Sequence, residues 1–319
     1  MDDPLLELTP GPTLPVASAV VATRAALAAA LDDLLAIPDA ALESAWEWRT
    51  GFADSTDVRY AFYRIHERLE DSAAAIVSGR AGSGEGPGVG PAVPLFGPLT
   101  AARWELRAAI APLEAHDLDA DPGGGEWTVR RTLGHIVGSQ RGYGWYNAWW
   151  LDRGHSDGPL PKPSDDPRMP PEPEDEDESE AKEAVGSPSE VMARLDDLVD
   201  LAMGRFAGLT EDELSIPARW SGLPVDLRFR MIRLGSHIRE HTVQVDKTLA
   251  MTGRGPTEVE RLVRLISASY GRLESLVYAR SDEVLGRRFG SGTGSPTHVL
   301  DSARDIAQLA QSARAAAAS

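Results

Sequence analysis

Seven histidines and no cysteine set the chemistry open to this chain of 319 residues. Without a thiol there is no disulfide, no cysteine nucleophile and no thiolate metal site. A bound metal has to rest on His, Asp or Glu, and thiol chemistry has to use a thiol from outside the chain. The informative stretch is Leu234-Gly-Ser-His-Ile-Arg-Glu-His-Thr-Val-Gln-Val-Asp. His237 and His241 are four residues apart. On a helix that spacing puts both imidazoles on one face, one turn apart, which suits chelation of a single ion. The same spacing fits two hydrogen-bonded histidines of a packing face, because His241 falls inside the apolar stripe Leu227, Met231, Leu234, Ile238, Val245 and Leu249.

A third histidine bears on the choice. His135 stands in Glu126-Trp-Thr-Val-Arg-Arg-Thr-Leu-Gly-His-Ile-Val, in the first half of another long helical segment. Three neutral imidazoles on facing helices leave coordination positions open to water, as in a catalytic rather than a closed structural site. A divalent ion there brings the pKa of bound water, or of an incoming small thiol, toward neutrality. Glu240, three residues past His237, reads as a base if it faces the ion and as a solvated surface glutamate if it does not. Gln244, near one turn beyond His241, could hydrogen-bond the ring nitrogen turned away from the ion. A rival reading takes His237-Ile-Arg-Glu-His241 as the H-x-x-E-H motif of inverted zinc peptidases, with Glu240 as base. That reading leaves His135 without a role, and none of Glu258, Glu260 and Glu274 stands out as the acidic ligand it needs.

Aromatics follow His135 along the same helix: Tyr143, Trp145, Tyr146, Trp149 and Trp150. Trp145 and Trp149 share the face that carries Gly138, Gly142 and His135. They read either as packing residues or as the apolar wall of a small-substrate pocket. No phosphate-binding loop, dinucleotide fingerprint or serine nucleophile elbow is present.

The elements that must position these residues read as helices. Apolar spacing predicts helices over about 17–37, 57–78, 99–114, 128–151, 226–251, 256–279 and 296–317, and one capped by Ser189 that runs to about Ala207. Strand signals are nearly absent, so the fold class is all-α, a four-helix bundle with additional N- and C-terminal helices. Composition shifts divide the chain into an N-terminal helical segment (1–80), a Gly/Pro linker (81–98), the bundle (99–281) and a C-terminal helix (282–319).

Charge is unevenly spread. The formal net charge is −17, yet twelve acids and three bases fall between His155 and Glu190, together with eight prolines. Proline breaks helices and like charges repel, so residues 155–188 read as a disordered, solvated insertion. An acidic surface disfavours nucleic acid and anionic membranes, though the body outside the insertion carries only about half the charge. The N-terminus has neither a basic nor an apolar leader region, and no apolar run reaches membrane-spanning length, so a cytoplasmic location is expected. Arginine far outnumbers the three lysines (Lys162, Lys182, Lys247), which fits the coding bias of a GC-rich bacterial genome.

Trp127, then Leu133-Gly-His135-Ile136, then His237, His241 and Gln244 give the chain a resemblance to the DinB/YfiT-like superfamily over about residues 99–280. The resemblance implies a four-helix bundle holding a divalent metal, zinc or nickel, on His135, His237 and His241. It also implies metal-dependent hydrolysis or thiol S-transfer on a small-molecule substrate, with an external thiol such as mycothiol as in the maleylpyruvate isomerases of that superfamily. It admits a homodimer. The acidic insertion and the extra terminal helices depart from the pattern, and insertions near a bundle mouth reshape pockets. The reading from a different class is a non-catalytic helical protein whose histidines are structural or bind metal without turnover.

Overall fold

The structure, a computed structural model, describes residues 16–48, 56–82, 90–167, 176–278 and 299–319. Its helices in chain order are α1 (Ser18–Leu35), α2 (Val58–Gly82), α3 (Val93–Ile110), α4 (Ala115–Asp119), α5 (Val129–Arg153), α6 (Glu176–Glu183), α7 (Pro188–Phe206), α8 (Glu211–Leu214), α9 (Leu227–Met251), α10 (Glu258–Val277) and α11 (Val299–Ala317). One antiparallel hairpin, β1 (Pro217–Trp220) with β2 (Leu223–Asp226), interrupts them. It turns on Ser221 and Gly222, both at positive φ, the conformation two-residue hairpins require. Among the described residues no helix is long and apolar enough to cross a membrane.

Helix starts follow local chemistry. Thr128 and Asp226 accept backbone N–H bonds at the heads of α5 and α9, the two helices that carry the histidines. The start of α7 differs from the expectation by two residues. Ser187, not Ser189, is the cap, because Pro188 fits the first helical position and Glu190 completes a capping box with Ser187.

Contacts divide the chain into two units, residues 89–255 and residues 16–88 with 256–319. The first is a bundle of α3, α5, α7 and α9. There α9 packs on α3 and α5, and α7 closes the ring against both of those. Arg103, almost fully buried, reaches Asp200 at 3.0 Å, and Arg107 pairs with Asp196, tying α3 to α7. α9 approaches α3 closely at Gly235, where a Cβ would sit 2.7 Å from the Leu99 amide nitrogen. The glycine thus lets the α9 backbone rest directly on α3 two residues before His237.

The second unit holds α1, α2, α10 and α11, with α11 against α1 and α2, and α10 against the same pair. Arg24 on α1 makes a double bond pair with the fully buried Glu274 of α10, at 2.7 and 3.0 Å. Asp39 accepts from the amides of Glu258 and Val259 and so caps α10 from another segment; those bonds hold its carboxyl below the usual range against the opposing pull of burial.

Three sequence-based boundaries are corrected. The bundle does not run from 99 to 281: α10 packs with the N-terminal helices α1 and α2. The linker does not extend to 98: α3 begins at Val93, where Pro94 is tolerated in the first turn and Val93, Phe96 and Leu99 are buried. The insertion 155–188 is not a solvated disordered stretch throughout. Glu176–Glu183 is helical and packs on α5. Three acids in its first turn and Lys182 in its last complement the helix dipole, and Glu178 pairs with Lys182 one turn on. Residues 168–175, and His298 in the expected start of the last helix, lie outside the described residues.

Candidate metal centre

α5 and α9 run antiparallel, and polar ties bracket the histidines along them. Thr248 Oγ1 donates to the Trp127 carbonyl at 3.0 Å, and Gln140 Nε2 donates to the Leu234 carbonyl at 2.8 Å. Both side chains are buried, where an unmade bond is costly, so the register of the two helices is fixed at both ends of the site.

Between these ties three imidazoles converge. Ligand nitrogens of His135, His237 and His241 all lie within 4.8 Å of one another. The ring centroids are 5.1 Å apart for His135 and His237, 4.6 Å for His135 and His241, and 4.4 Å for His237 and His241. His237 Nε2 and His241 Nε2 are separated by 3.1 Å. Two nitrogens bound to one ion at about 2.0–2.1 Å span roughly that distance. Trp127 meets His135 edge-on at 5.3 Å, and Tyr143 meets His237 at 5.2 Å with the rings perpendicular.

The outer nitrogens decide what the inner ones can do. Glu180 Oε1 lies 2.6 Å from His135 Nδ1. Gln244 Oε1 lies 2.8 Å from His241 Nδ1. A carboxylate or amide oxygen only accepts, so each Nδ1 carries a proton, and in the neutral tautomer this sets it is Nε2 that presents the lone pair to the common centre. This is the way metal-ligating histidines are usually held. His237 Nδ1 is buried with no partner. The donor set therefore fits a divalent metal, and the residues that would hold it are His135, His237 and His241.

Electrostatics favour the neutral rings. Burial pushes the His237 pKa down to about 3, with the neighbouring imidazoles and Arg233 adding to the shift. Burial also lowers His241, against the opposing bond from Gln244. Both rings are unprotonated at neutral pH, as ligands must be.

The other expected residues lie elsewhere. Glu240 is more than half exposed and bonds Arg233 at 2.7 and 3.1 Å, which holds its carboxyl below the usual range. It is not part of the convergent cluster. Trp145 and Trp149 are buried, and the Trp149 indole N–H donates to Asp166 at 2.7 Å. They share a helix with His135 but stand 10 and 14 residues away, roughly 15 and 21 Å at 1.5 Å per residue. Sequence reasoning passed over Glu180 and gave Tyr143 no role of its own. Tyr143 meets His237 because α9 is antiparallel and His237 sits one turn nearer to it than His241. Glu180 was hidden in a run of acids 45 residues from its partner. The available signal was Gly134 and Gly138, one turn apart on α5, which open a strip for a second helix.

A family model of the DinB superfamily matches residues 99–245. Over those residues the bundle is similar to that superfamily. The match takes in all three histidines, α6 with Glu180, and α9 as far as Val245. It stops short of α10, in accord with the packing of that helix in the other unit. No curated protein and no solved structure matches the chain. The bundle thus brings together three histidines able to hold a metal ion.

Proposed function

We propose that this protein is a cytoplasmic, divalent-metal-dependent enzyme of the DinB superfamily that acts on a small molecule by thiol S-transfer or hydrolysis. The observation that carries the reading is the convergence of three imidazoles, two of which have their outer nitrogens tied to acceptors. Zinc or nickel bound there would supply a Lewis acid that acidifies a bound water or an external low-molecular-weight thiol such as mycothiol. The chain's own residues do the rest. His135, His237 and His241 present the lone pairs, and Glu180 and Gln244 keep the protons on the far side of two rings. Tyr143 and Trp127 flank the histidines with aromatic surface. The peptidase reading draws no support from this arrangement, since its base, Glu240, is committed to Arg233 and the cluster contains no acidic ligand.

Elemental analysis of the purified full chain tests the proposal. One equivalent of zinc or nickel, lost in His135→Ala, is expected; absence of any stoichiometric divalent metal, after reconstitution with either ion, sinks it. A screen of electrophiles with and without added thiol then separates S-transfer from hydrolysis.

A further inference from the structure

The acidic insertion is the chain's clearest departure from a plain four-helix bundle, and its helix α6 touches the candidate metal centre. Four ties hold α6 and its exit to α5. Arg131 reaches Asp177 at 2.7 Å, Glu180 reaches His135 Nδ1 at 2.6 Å, Arg141 reaches Glu183 at 2.7 Å, and Arg130 donates to the Ala184 carbonyl at 2.7 Å. The contact is a backbone contact as well. A Cβ on Gly134 would collide with the Glu180 carbonyl oxygen, so the glycine beside His135 is what allows α6 to lie this close. Asp177, Glu180 and Glu183 recur every three residues and so face α5 together. Of the three, Glu180 is the most enclosed, with its side chain 13% exposed, and its partner is a ring rather than an arginine. Glu180 also lines a cavity of about 250 Å³ together with Thr128, Arg131 and Asp177.

We propose that Glu180 is a positioning residue for the metal centre, and that the insertion helix exists in this chain to deliver it. The inference rests on the metal reading above. Its carboxylate accepts the Nδ1 proton of His135, which fixes the tautomer, orients the ring and makes Nε2 a stronger donor. An arginine-paired carboxylate on the same helix face does none of this. The insertion is therefore part of the site and not a tether between two bundle helices.

The test is competition between the full-length protein and a chromophoric chelator for zinc, with cobalt(II) absorption as a second readout. Glu180→Ala is expected to weaken zinc binding by roughly 10–100-fold and to shift the cobalt ligand-field bands. Glu180→Gln retains an acceptor oxygen without the charge and should fall between Glu180→Ala and the parent. Arg131→Ala loosens the same helix without touching His135 and should stay within about threefold of the parent. Far-UV circular dichroism at the assay temperature checks that each variant is folded; should Glu180→Ala not fold, the near-isosteric Glu180→Gln decides. Equal zinc affinity in the parent and the Glu180 variants overturns the proposal. So does an equal loss in Arg131→Ala, which would assign the effect to the helix and not to the carboxylate. If the parent protein itself binds no zinc, cobalt or nickel, it is the metal reading that fails.

Discussion

Each unit has a helix that turns one histidine toward a facing helix, yet among the described residues only one of these histidines joins a cluster of ring nitrogens able to hold a metal. On α2, His66 Nδ1 meets Ser269 Oγ of α10 at 2.8 Å. That hydroxyl already donates to the Leu265 carbonyl and accepts from Arg272, so it takes the His66 proton and the local network is closed. The facing helix offers a hydroxyl and a guanidinium there, and the nearby carboxylate, Glu70, is on α2 itself. On α5, His135 faces two further imidazoles of α9 and turns its Nδ1 to Glu180. A histidine on a buried helix face is thus an ordinary packing residue until its partner helix supplies more ring nitrogens and something else occupies its outer one.

The largest test of this contrast exchanges nothing but the histidine. His237→Ala is expected to remove metal binding by more than the roughly 10–100-fold that loss of an outer partner costs, while His66→Ala leaves metal content at the parent value. Metal content by mass spectrometry after dialysis reads both. Retention of one equivalent in His237→Ala would erase the distinction between the two helices.

A second test inverts it, disturbing the other unit and sparing the metal. Glu274 is fully buried and pairs with Arg24. Arg24→Ala takes a two-bond partner from a buried carboxylate, and breaking a buried pair costs about 3–5 kcal/mol. Urea denaturation followed by tryptophan fluorescence should show that loss, with metal stoichiometry at the parent value in the variant before unfolding. A change below 1 kcal/mol, on the order of an exposed pair, would show that the pair is solvated.

The histidine trio was legible because its spacing is local. Four residues on one helix need no tertiary knowledge, and a third histidine on a second amphipathic segment needs only the rule that facing helices share a core. The all-α class was legible for the same reason, since 3.6-residue periodicity is a short-range signal. What escaped depended on long-range partners. Glu176–Glu183 is charged on every side, so nothing in its own pattern shows that it packs; its anchor is the pair of glycines on α5 and the arginines beside them. Glu258–Val277 has the right length and stripe for the DinB bundle, and only the contacts show that its stripe is matched to α1 and α2. Trp145 and Trp149 share a face with His135, but face alone says nothing of distance along the axis.

A smaller effect is expected where the two long helices of the site meet the rest of the bundle. Gly235→Ala must push α9 away from the Pro98–Leu99 backbone. About 1–3 kcal/mol of stability should be lost, together with some zinc affinity, because His237 is two residues on. Gly208→Ala meets nothing within 4 Å and should change neither. Thermal unfolding in the presence of a chelator, paired with zinc titration, measures the two quantities separately; equal behaviour of the two variants would show that the close approach does not govern the site.

The last contrast is carried by pH in the metal-free protein. His237 has a folded pKa of about 3, and His241 is also lowered by burial, against an unfolded value of about 6.5. Above pH 6.5 both states hold the rings neutral and pH has no hold on stability through them. Below it the unfolded chain takes up protons that the folded site refuses, so stability falls as pH drops from about 6.5 toward 3. The slope is on the order of 1 kcal/mol per pH unit for each such histidine. The carboxylates whose shift is resolved, Asp39, Glu70, Asp119, Glu190 and Glu240, are all held low and so do not oppose this trend between pH 7 and 5. His237→Leu removes one of the two titrating rings and should reduce this slope, whereas His66→Ala should leave the His237 and His241 contribution in place. Urea midpoints at pH 7, 6 and 5 in excess chelator give the slopes. A parent protein as stable at pH 5 as at pH 7 would mean that the rings are hydrated in solution, and with that the buried donor set on which the metal site depends would be lost.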